Sequence, residues 1–451
     1  MNDTIVAIST ALGVGAISIV RLSGKEAIKI VNSCFKGKDL SKVKSHTINY
    51  GHIIDKDEII DEVLVSIMKE PKTYTTEDVV EINCHGGVIS TKRILETMLT
   101  HGARLAEPGE FTKRAFLNGR IDLVKSEAVM DIIDSKSEEA NKIALSQLSG
   151  STSNMIKKFR ESLKQLLASI EVNIDYPEYY DIEVVTKEKI SKSIEEMKKD
   201  LEKVINESKN TTLIKEGIKT VIVGRPNVGK SSILNKLLEQ EKAIVTDIAG
   251  TTRDIVEGEI SLDGILLNII DTAGIRSTDD IVEKIGVEKS LSMIDAADLV
   301  VVVLNNNEEL TAEDQEILEK TKAKERIIVI NKNDLSKKLD ISRYNLKNVV
   351  ETNANTTDGI KNLKKKIIEL FQLETIKTKD YTYLTNARQI ALAKKAYQSL
   401  TEAEAGINND LPIDMVEIDL KNTFDFLGEI IGETYSEEIL DHLFANFCVG
   451  K

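Results

Sequence analysis

The chain has 451 residues, a formal net charge of −14 and a hydrophobic fraction of 41%. This length allows several domains, and its longest apolar runs fall short of the ~20 residues needed to cross a bilayer. Three cysteines form neither a disulfide framework nor a CxxC metal pair, and the first residues lack a basic secretory leader. We therefore expect a cytoplasmic protein with no membrane contact. The acidic balance disfavours general polyanion binding, so any such partner would need a local basic patch.

Short β-rich segments and one helix are predicted in residues 1–120. The strands are Thr4–Ser9, Ala16–Leu22, Val63–Met68 and Val79–Ile82, and a helix follows Gly86-Gly87 through Met98. This region is expected to be a mixed α+β domain.

The period of the apolar residues becomes helical from about Lys125. Apolar side chains recur every three or four residues across 156–170 and 190–205, and Asp175–Tyr180 is predicted to form a loop between these helices. A second helical stripe covers 424–447. Because segments that flank a compact insert lie close together, residues 121–215 and 373–451 are expected to form one helical domain around a nucleotide-binding unit at 216–372.

The segment Gly224–Ser231 reads GRPNVGKS and matches the phosphate-loop pattern G-x-x-x-x-G-K-[ST]. A strand is predicted before it at Thr220–Val223 and a helix after it at Ser232–Leu238. Backbone N–H groups of such a loop surround a polyphosphate, Lys230 reaches the β- and γ-phosphates, and the Ser231 hydroxyl is a Mg²⁺ ligand.

Three further motifs favour GTP as the nucleotide. Asp271–Gly274 (DTAG) follows the apolar run Ile265–Ile270, which puts a carboxylate near the metal. Asn331–Asp334 (NKND) follows Ile327–Ile330, and an Asp there accepts the paired N–H donors of guanine. Thr251-Thr252 lies between the first two motifs, where a loop could bring a hydroxyl to Mg²⁺. The predicted class is a Ras-like α/β P-loop GTPase.

Four other segments resemble the MnmE (TrmE) family of tRNA-modification GTPases over essentially the whole chain. They are Gly13–Gly24, Pro108–Phe116, Thr246–Asp254 and the C-terminal tail Phe447–Lys451, which reads FCVGK. The resemblance implies an N-terminal folate-binding and dimerisation domain at 1–120, joined to the helical domain with its inserted GTPase unit.

The resemblance also implies partners and cofactors. An MnmG-type flavoprotein would supply FAD and NADH chemistry, and the two proteins would add a carboxymethylaminomethyl or aminomethyl group to the wobble uridine of certain tRNAs. A reduced folate, 5-formyl- or methylene-tetrahydrofolate, would supply one carbon. The expected assembly is a homodimer that forms a heterotetramer or larger complex with MnmG.

The residue after DTAG is Ile275, whose apolar side chain cannot orient water. The resemblance implies that Glu283 does so instead, and that K⁺ supplies the positive charge that many GTPases receive from an arginine. The implied K⁺ ligands are Asn227, Thr246, Ile248 through its carbonyl, and Thr251, and pairing of two GTPase units closes the ion site.

The complete predicted GTP site adds backbone and side-chain groups from every motif, with Mg²⁺ on Ser231 and Thr252 and a base-backing loop at Thr352–Asn355. Its members are Asn227, Val228, Gly229, Lys230, Ser231, Ser232, Thr246, Asp247, Ile248, Ala249, Gly250, Thr251, Thr252, Asp271, Thr272, Ala273, Gly274, Asn331, Lys332 and Asp334.

For the folate, the resemblance implies Arg21, Glu81, Arg120 and Lys451, with arginine at 120 where the family commonly has lysine. A carboxylate such as Glu81 accepts paired N–H donors from a pterin. Cys448 is a candidate catalytic residue. A reactive thiol requires exposure or a lowered pKa, and the sequence reveals neither. Two other cysteines, Cys34 and Cys84, are expected to be inert, and His85 to be structural.

Two other readings remain open. One is a ribosome-assembly GTPase that acts as a binding switch, although the chain has a single P-loop and an acidic helical segment after it. The other is a GTP-gated dimer that only regulates a partner, which folate binding would argue against.

Overall fold

The computed structural model describes residues 3–56, 58–175, 187–240, 256–262, 264–270, 293–354, 356–371 and 383–451. The chain divides into two compact units. The first unit contains Met1–Met130, Ile156–Arg160 and Phe424–Lys451, and the second contains Asp131–Met155 and Glu161–Thr423.

The first unit holds a seven-stranded sheet of order β3-β4-β5-β6-β2-β1-β7. Its strands are β1 Ile5–Ile8, β2 Ile17–Ser23, β3 Phe35–Lys36, β4 Thr47–Asp55, β5 Glu58–Met68, β6 Val79–His85 and β7 Arg104–Leu105. β1 pairs parallel with β7, and the other neighbours pair antiparallel.

Alternation along the strands separates the two faces of this sheet. Val80, Ile82 and Cys84 of β6 are buried in the core with the helix Val88–Thr100, whereas Glu81 and Asn83 point to the opposite face. The register pairs Arg21 of β2 with Glu81 of β6, so these two charged side chains share that outer face.

Thirteen α-helices lie in the described residues. They are α1 Ala27–Ser33, α2 Val88–Thr100, α3 Glu110–Leu117, α4 Leu123–Asp134, α5 Glu138–Ser149, α6 Ser151–Asp175, α7 Lys187–Glu216, α8 Lys230–Gln240, α9 Ala312–Lys320, α10 Thr357–Leu370, α11 Ala387–Asn408, α12 Ile413–Ile431 and α13 Glu437–Phe444.

The helices of the first unit bury an aromatic cluster beside the tail. Phe116 of α3 and Leu123 of α4 pack with Phe444 of α13 and with Phe447. Gly109 precedes α3 in the left-handed conformation at φ 65°, and an added Cβ there would lie 2.7 Å from the Phe447 Cβ. The residue must therefore be glycine for the tail to approach this closely.

The structure confirms the long helices that the spacing of apolar residues predicted. The predicted segments 156–170 and 190–205 lie within α6 and α7, whose apolar stripes bury Ile156, Ile170 and Ile194. Asp175 is the last residue of α6, and the rest of the predicted loop, 176–180, lies outside the described residues. None of the helices that the structure describes is both long and apolar enough to cross a membrane.

The second unit holds a six-stranded sheet of order β13-β12-β11-β8-β10-β9. Its strands are β8 Ile218–Val223, β9 Val256–Leu262, β10 Ile265–Ile270, β11 Leu299–Asn305, β12 Arg326–Asn331 and β13 Val349–Glu351. Only β9 pairs antiparallel in the described register. Continuous buried runs such as β10 and β11 are typical of a parallel sheet covered on both faces, and they confirm the predicted α/β class.

Candidate functional site

The phosphate loop lies between the central strand β8 and helix α8. Gly224 adopts φ 155°, and an added Cβ there would lie 2.5 Å from the Val303 carbonyl oxygen. Gly229 adopts φ 102°, and its added Cβ would lie 2.1 Å from Nδ2 of Asn331. The two glycines therefore let the loop pass close to β11 and to the NKND motif, which a side chain would prevent.

The first turn of α8 presents the groups that are predicted to bind phosphate. Lys230 begins the helix, and its buried Nζ donates to the carbonyl oxygens of Gly224 at 2.9 Å and Arg225 at 2.8 Å. Ser231 is half-buried and Ser232 is exposed in the same turn. The free N–H groups and dipole of a helix N-terminus favour an anion there. The loop, the Lys230 ammonium and the start of α8 therefore form one candidate anion site.

Asn331 joins three motifs that are far apart in sequence. Its Nδ2 donates to the Val228 carbonyl oxygen at 2.8 Å, and its Oδ1 accepts from the Ala354 N–H at 3.0 Å. Lys332 donates from Nζ to the Asn227 carbonyl oxygen at 2.8 Å. The NKND motif thus holds the P-loop against the loop predicted to back the base.

Asp334 is exposed at the same edge of the sheet, where its carboxylate can accept from a guanine. Several predicted site residues lie outside the described residues, together with Ile275 and Asn355. These are Thr246, Asp247, Ile248, Ala249, Gly250, Thr251, Thr252, Asp271, Thr272, Ala273, Gly274 and Glu283.

A second cluster of predicted residues occupies the outer face of the first unit's sheet. The Arg21 guanidinium forms an ion pair with Glu81 at 2.8 Å and also donates to the Gly450 carbonyl oxygen at 3.2 Å. Ser9 donates to the same Gly450 oxygen at 3.1 Å. Cys448 accepts at its carbonyl oxygen from the Gly109 N–H at 3.2 Å. The tail is thus fixed beside Arg21 and Glu81.

The remaining candidates differ in their surroundings. The Arg120 guanidinium lies 4.9 Å from the Tyr74 ring centroid, a cation–π contact. Lys451 is half-buried and Cys448 is exposed. Burial raises the pKa of the Cys34 thiol to about 12.

Burial also raises the pKa of the Cys84 thiol, which matches the expectation that this residue and Cys34 are inert. His85 is exposed and its Nδ1 lies 2.7 Å from the Asp61 carboxylate, which raises the His85 pKa.

Sequence reasoning missed a buried ion network around Arg114. This guanidinium is 1% exposed and contacts Asp3 at 2.9 Å, Glu77 at 3.2 Å and Glu110 at 3.0 Å. Glu110 also pairs with Arg104 at 2.6 Å. The i, i+4 spacing of Glu110 and Arg114 was the available signal, but two of the partners lie more than 30 residues away.

The site defines a class of protein. A P-loop between the central parallel strand β8 and a helix, held by an NKND motif at the end of β12, two strands along the same sheet, is the arrangement of a P-loop GTPase.

Comparison with known proteins identifies the family. Residues 4–120 match the model of the GTP-binding protein TrmE N-terminus, and residues 123–448 match that of the MnmE helical domain. A Bacillus cytotoxicus protein named tRNA modification GTPase MnmE is 51% identical over 100% of this chain and 99% of its own length. A Staphylococcus aureus protein of the same name is 50% identical, with the same coverage.

The G domain of the T. maritima FeoB iron transporter, a solved structure, is 29% identical over 34% of this chain and 98% of its own, with a TM-score of 0.25. The two family models and the full-length relatives are sufficient for assignment: the chain belongs to the MnmE family, and it is a GTP hydrolase.

Proposed function

We propose that this chain is a cytoplasmic tRNA-modification GTPase that acts with an MnmG-type flavoprotein on the wobble uridine of certain tRNAs. Relatives that carry the name tRNA modification GTPase match it from end to end. The structural observation that carries the proposal is the double contact of Arg21 with Glu81 and with the Gly450 carbonyl. It brings the tail that bears Cys448 next to the carboxylate proposed to bind a pterin.

Four segments make up the proposed domains. Residues 1–120 bind folate and form the dimer, residues 121–215 and 373–451 form the helical domain, and residues 216–372 are the inserted GTPase domain. The match of the helical-domain model across 123–448 supports this proposal, because it spans both helical segments.

GTP binds with its phosphates on the P-loop and its base at Asp334. Lys230 contacts the β- and γ-phosphates, and Asn331 keeps Val228 and the 352–354 loop in place around the nucleotide. Ser231, with Thr252, would hold Mg²⁺, and its half-buried hydroxyl in the first turn of α8 fits a hard oxygen-preferring cation. When bound, Mg²⁺ neutralises charge on the phosphates.

The P-loop arginine is not available to stabilise the transition state. Arg225 pairs with Glu308 at 2.7 Å and with the buried Asp314 at 2.8 Å. This supports K⁺ as the source of positive charge, held by Asn227 with Thr246, Ile248 and Thr251. Asn227 fits this role as an exposed residue with φ 63° in the loop.

Glu283 positions the attacking water, and pairing of two GTPase domains closes the K⁺ site. Hydrolysis is therefore coupled to G-domain dimerisation.

The reduced folate binds on the outer face of the first unit's sheet. Glu81 accepts from the pterin, while Arg21, Arg120 and Lys451 meet carbonyl or carboxylate groups, and Cys448 acts near the one-carbon group. The ion pair of Arg21 and Glu81 fits a polar, partly charged ligand because both side chains keep some contact with solvent. They are 18% and 23% exposed.

The same face supports a homodimer. Ile48, Tyr50 and Leu64 are 69%, 61% and 46% exposed on β4 and β5, and Tyr50 is the register partner of Leu64. Leu64 is in turn the partner of Asn83, two residues from Glu81 on β6. A continuous apolar strip on a sheet face is typical of an interface, and a second copy of the chain is the proposed occupant.

One experiment tests the whole proposal. The full chain is combined with MnmG, tRNA, GTP and a reduced folate, and GTP hydrolysis in K⁺ is compared with that in Na⁺ at matched ionic strength. The variants are Glu283→Ala and, as a control for charge, Asp280→Asn. The tRNA is digested and its wobble nucleoside is identified by mass spectrometry.

We expect faster hydrolysis in K⁺ that is lost in Glu283→Ala and kept in Asp280→Asn, together with a modified nucleoside that requires folate. Hydrolysis with no modified nucleoside would instead support a binding switch of the ribosome-assembly kind. Equal rates in K⁺ and Na⁺ would remove the ion site at Asn227.

A further inference from the structure

A cavity of about 300 Å³ opens in the first unit next to Arg120. It lies where α3 ends and α4 begins, and the residues after α12 form its other side. Its charged lining residues are Arg120, Asp122, Lys125, Lys157 and Glu433.

The charges in this cavity are unbalanced in favour of cations. Arg120, Lys125 and Lys157 form no ion pair with a carboxylate of the described residues, whereas Glu433 is paired with Arg160. Asp122 accepts from the Lys125 backbone N–H at 2.9 Å at the start of α4. That helix start adds its own positive field. The cavity is therefore suited to an anion.

The apolar wall of the cavity is closely packed. The rings of Phe116 and Tyr435 meet edge to face with centroids 5.2 Å apart. Gly432 adopts φ 77°, and an added Cβ there would lie 2.8 Å from the Leu123 Cβ. Such a wall accommodates methylene groups between charged groups, which a chain of phosphates does not offer.

Packed side chains connect the cavity to the proposed folate site. Arg120 lies over Tyr74, which packs against the buried cluster that contains Phe111. The Arg21 guanidinium is 5.8 Å from the centroid of the Phe111 ring. Arg21 at the proposed folate site is thus linked to Arg120 at the cavity by the contacts of both arginines with the packed rings of Phe111 and Tyr74.

We propose that this cavity binds the oligo-γ-glutamate tail of the folate, a flexible chain of carboxylates separated by methylene groups. The inference rests on the proposed folate site and deepens it, because it makes the polyglutamylated form the preferred ligand. Arg120 meets the first glutamate, and Lys125 and Lys157 meet the carboxylates beyond it.

The test compares 5-formyl-tetrahydrofolate carrying one glutamate with the form carrying five, by calorimetric titration of the full chain. We expect about tenfold tighter binding of the longer form at low salt, because several partly exposed ion pairs each add a small free energy. This preference should shrink as salt rises. The variant Lys125→Gln/Lys157→Gln should bind both forms equally. Lys158→Gln removes one positive charge next to Lys157 but outside the cavity, and it should keep the preference.

Each result discriminates between the two proposals. Equal binding of both forms by the unaltered chain would overturn the tail site and leave the folate site standing. Binding of neither form would overturn the folate site and the inference with it. If the double variant loses affinity for tRNA but keeps the preference for five glutamates, the cavity is a site for RNA phosphates and the inference is wrong.

Discussion

The guanidinium of Arg21 donates to the carbonyl oxygen of Gly450 at 3.2 Å across a sequence separation of 429 residues. The same guanidinium pairs with Glu81. The Arg21 side chain therefore contacts both the carboxylate that is proposed to bind the pterin and the backbone of the tail that bears Cys448. A pterin bound at Glu81, as proposed, would therefore be linked through Arg21 to the backbone that carries Cys448.

Loss of this contact should affect modification and not hydrolysis. Arg21→Gln removes the ion pair with Glu81 and weakens the hold on Gly450, so we expect tRNA modification to fall at least about tenfold, equivalent to about 1.4 kcal/mol. GTP hydrolysis should persist because the P-loop is in the other unit. The measurement is the yield of modified nucleoside. Arg93→Gln, which breaks the exposed pair with Glu58, is the control; equal loss in both variants would contradict the role of Arg21.

A charge on the exposed apolar strip should separate the proposed homodimer. Leu64→Glu places a carboxylate beside Tyr50, where burial against a second copy would leave it unpaired. Light scattering after gel filtration should then report half the mass of the unaltered protein. Leu105→Glu changes a residue of similar exposure, 51%, on the edge strand β7 and should leave the mass unchanged. A dimeric Leu64→Glu protein would show that the interface lies elsewhere.

Replacing Asn331 should lower GTP affinity more than replacing its exposed neighbour Asn333. Asn331→Ala leaves the Val228 carbonyl and the Ala354 N–H without their partner, which costs about 1–3 kcal/mol for a buried group. We expect GTP affinity to fall at least about tenfold, measured with a fluorescent GTP analogue. Asn333→Ala, with its exposed side chain on the same loop, is the matched control. Unchanged affinity in Asn331→Ala would refute this bridging role.

The network around Arg114 should make the first unit sensitive to acid. Burial would raise the pKa of the Glu110 carboxyl, but Arg104 and Arg114 hold it below its ordinary value. A lowered pKa stabilises the fold above the unfolded value of about 4.3, and that stability is lost as pH falls through the folded value. Glu110→Gln should destabilise the unit by about 3–5 kcal/mol at pH 7.

The difference between Glu110→Gln and the unaltered chain should narrow as the pH falls below about 4. Urea unfolding followed by circular dichroism at several pH values measures it. Glu107→Gln changes an exposed carboxylate three residues before Glu110, outside α3, and should have little effect at any pH. A difference that stays constant into acid would contradict a charged Glu110.

Thiol chemistry should single out one cysteine. Cys448 is exposed, whereas Cys34 and Cys84 are buried and burial raises the pKa of each. Ellman's reagent at pH 8 should therefore titrate one thiol rapidly in the folded chain, and Cys448→Ser should abolish that phase. Cys34→Ser should leave it intact, and two rapid thiols would contradict the burial.

The sequence predicted those strands whose apolar residues are consecutive, and it missed a strand in which polar residues interrupt them. The strand β10 was predicted residue for residue, because Ile265–Ile270 is a continuous buried run bounded by a turn and a motif. By contrast, β4 was missed since Asn49, Gly51 and His52 interrupt its apolar residues. Ile48 and Tyr50 are exposed while Asn49 and Gly51 are buried, so burial along this strand does not follow the hydropathy of its residues.

The candidate site divides in the same way. The P-loop lies within eight consecutive residues and was predicted from them, whereas the Asn331 contact with Val228 joins positions 103 residues apart. Sequence assigned Asn331 to the guanine, and the structure adds its role in holding the loop. The family resemblance put Arg21 and Lys451 in one site, but no short pattern predicts that Ser9 and Arg21 donate to the Gly450 carbonyl oxygen.

The first unit draws on Met1–Met130 and again on Phe424–Lys451. During synthesis on the ribosome, its early strands emerge long before the residues that pack Phe444 and Phe447 against Phe116. The apolar side chains of Phe116 and Leu123 therefore stay uncovered until translation has passed Thr423 and reached the C-terminal residues of this unit. A premature stop anywhere in the intervening sequence would leave that surface open to chaperones and proteases, so the cell receives an intact unit only from a completely translated message.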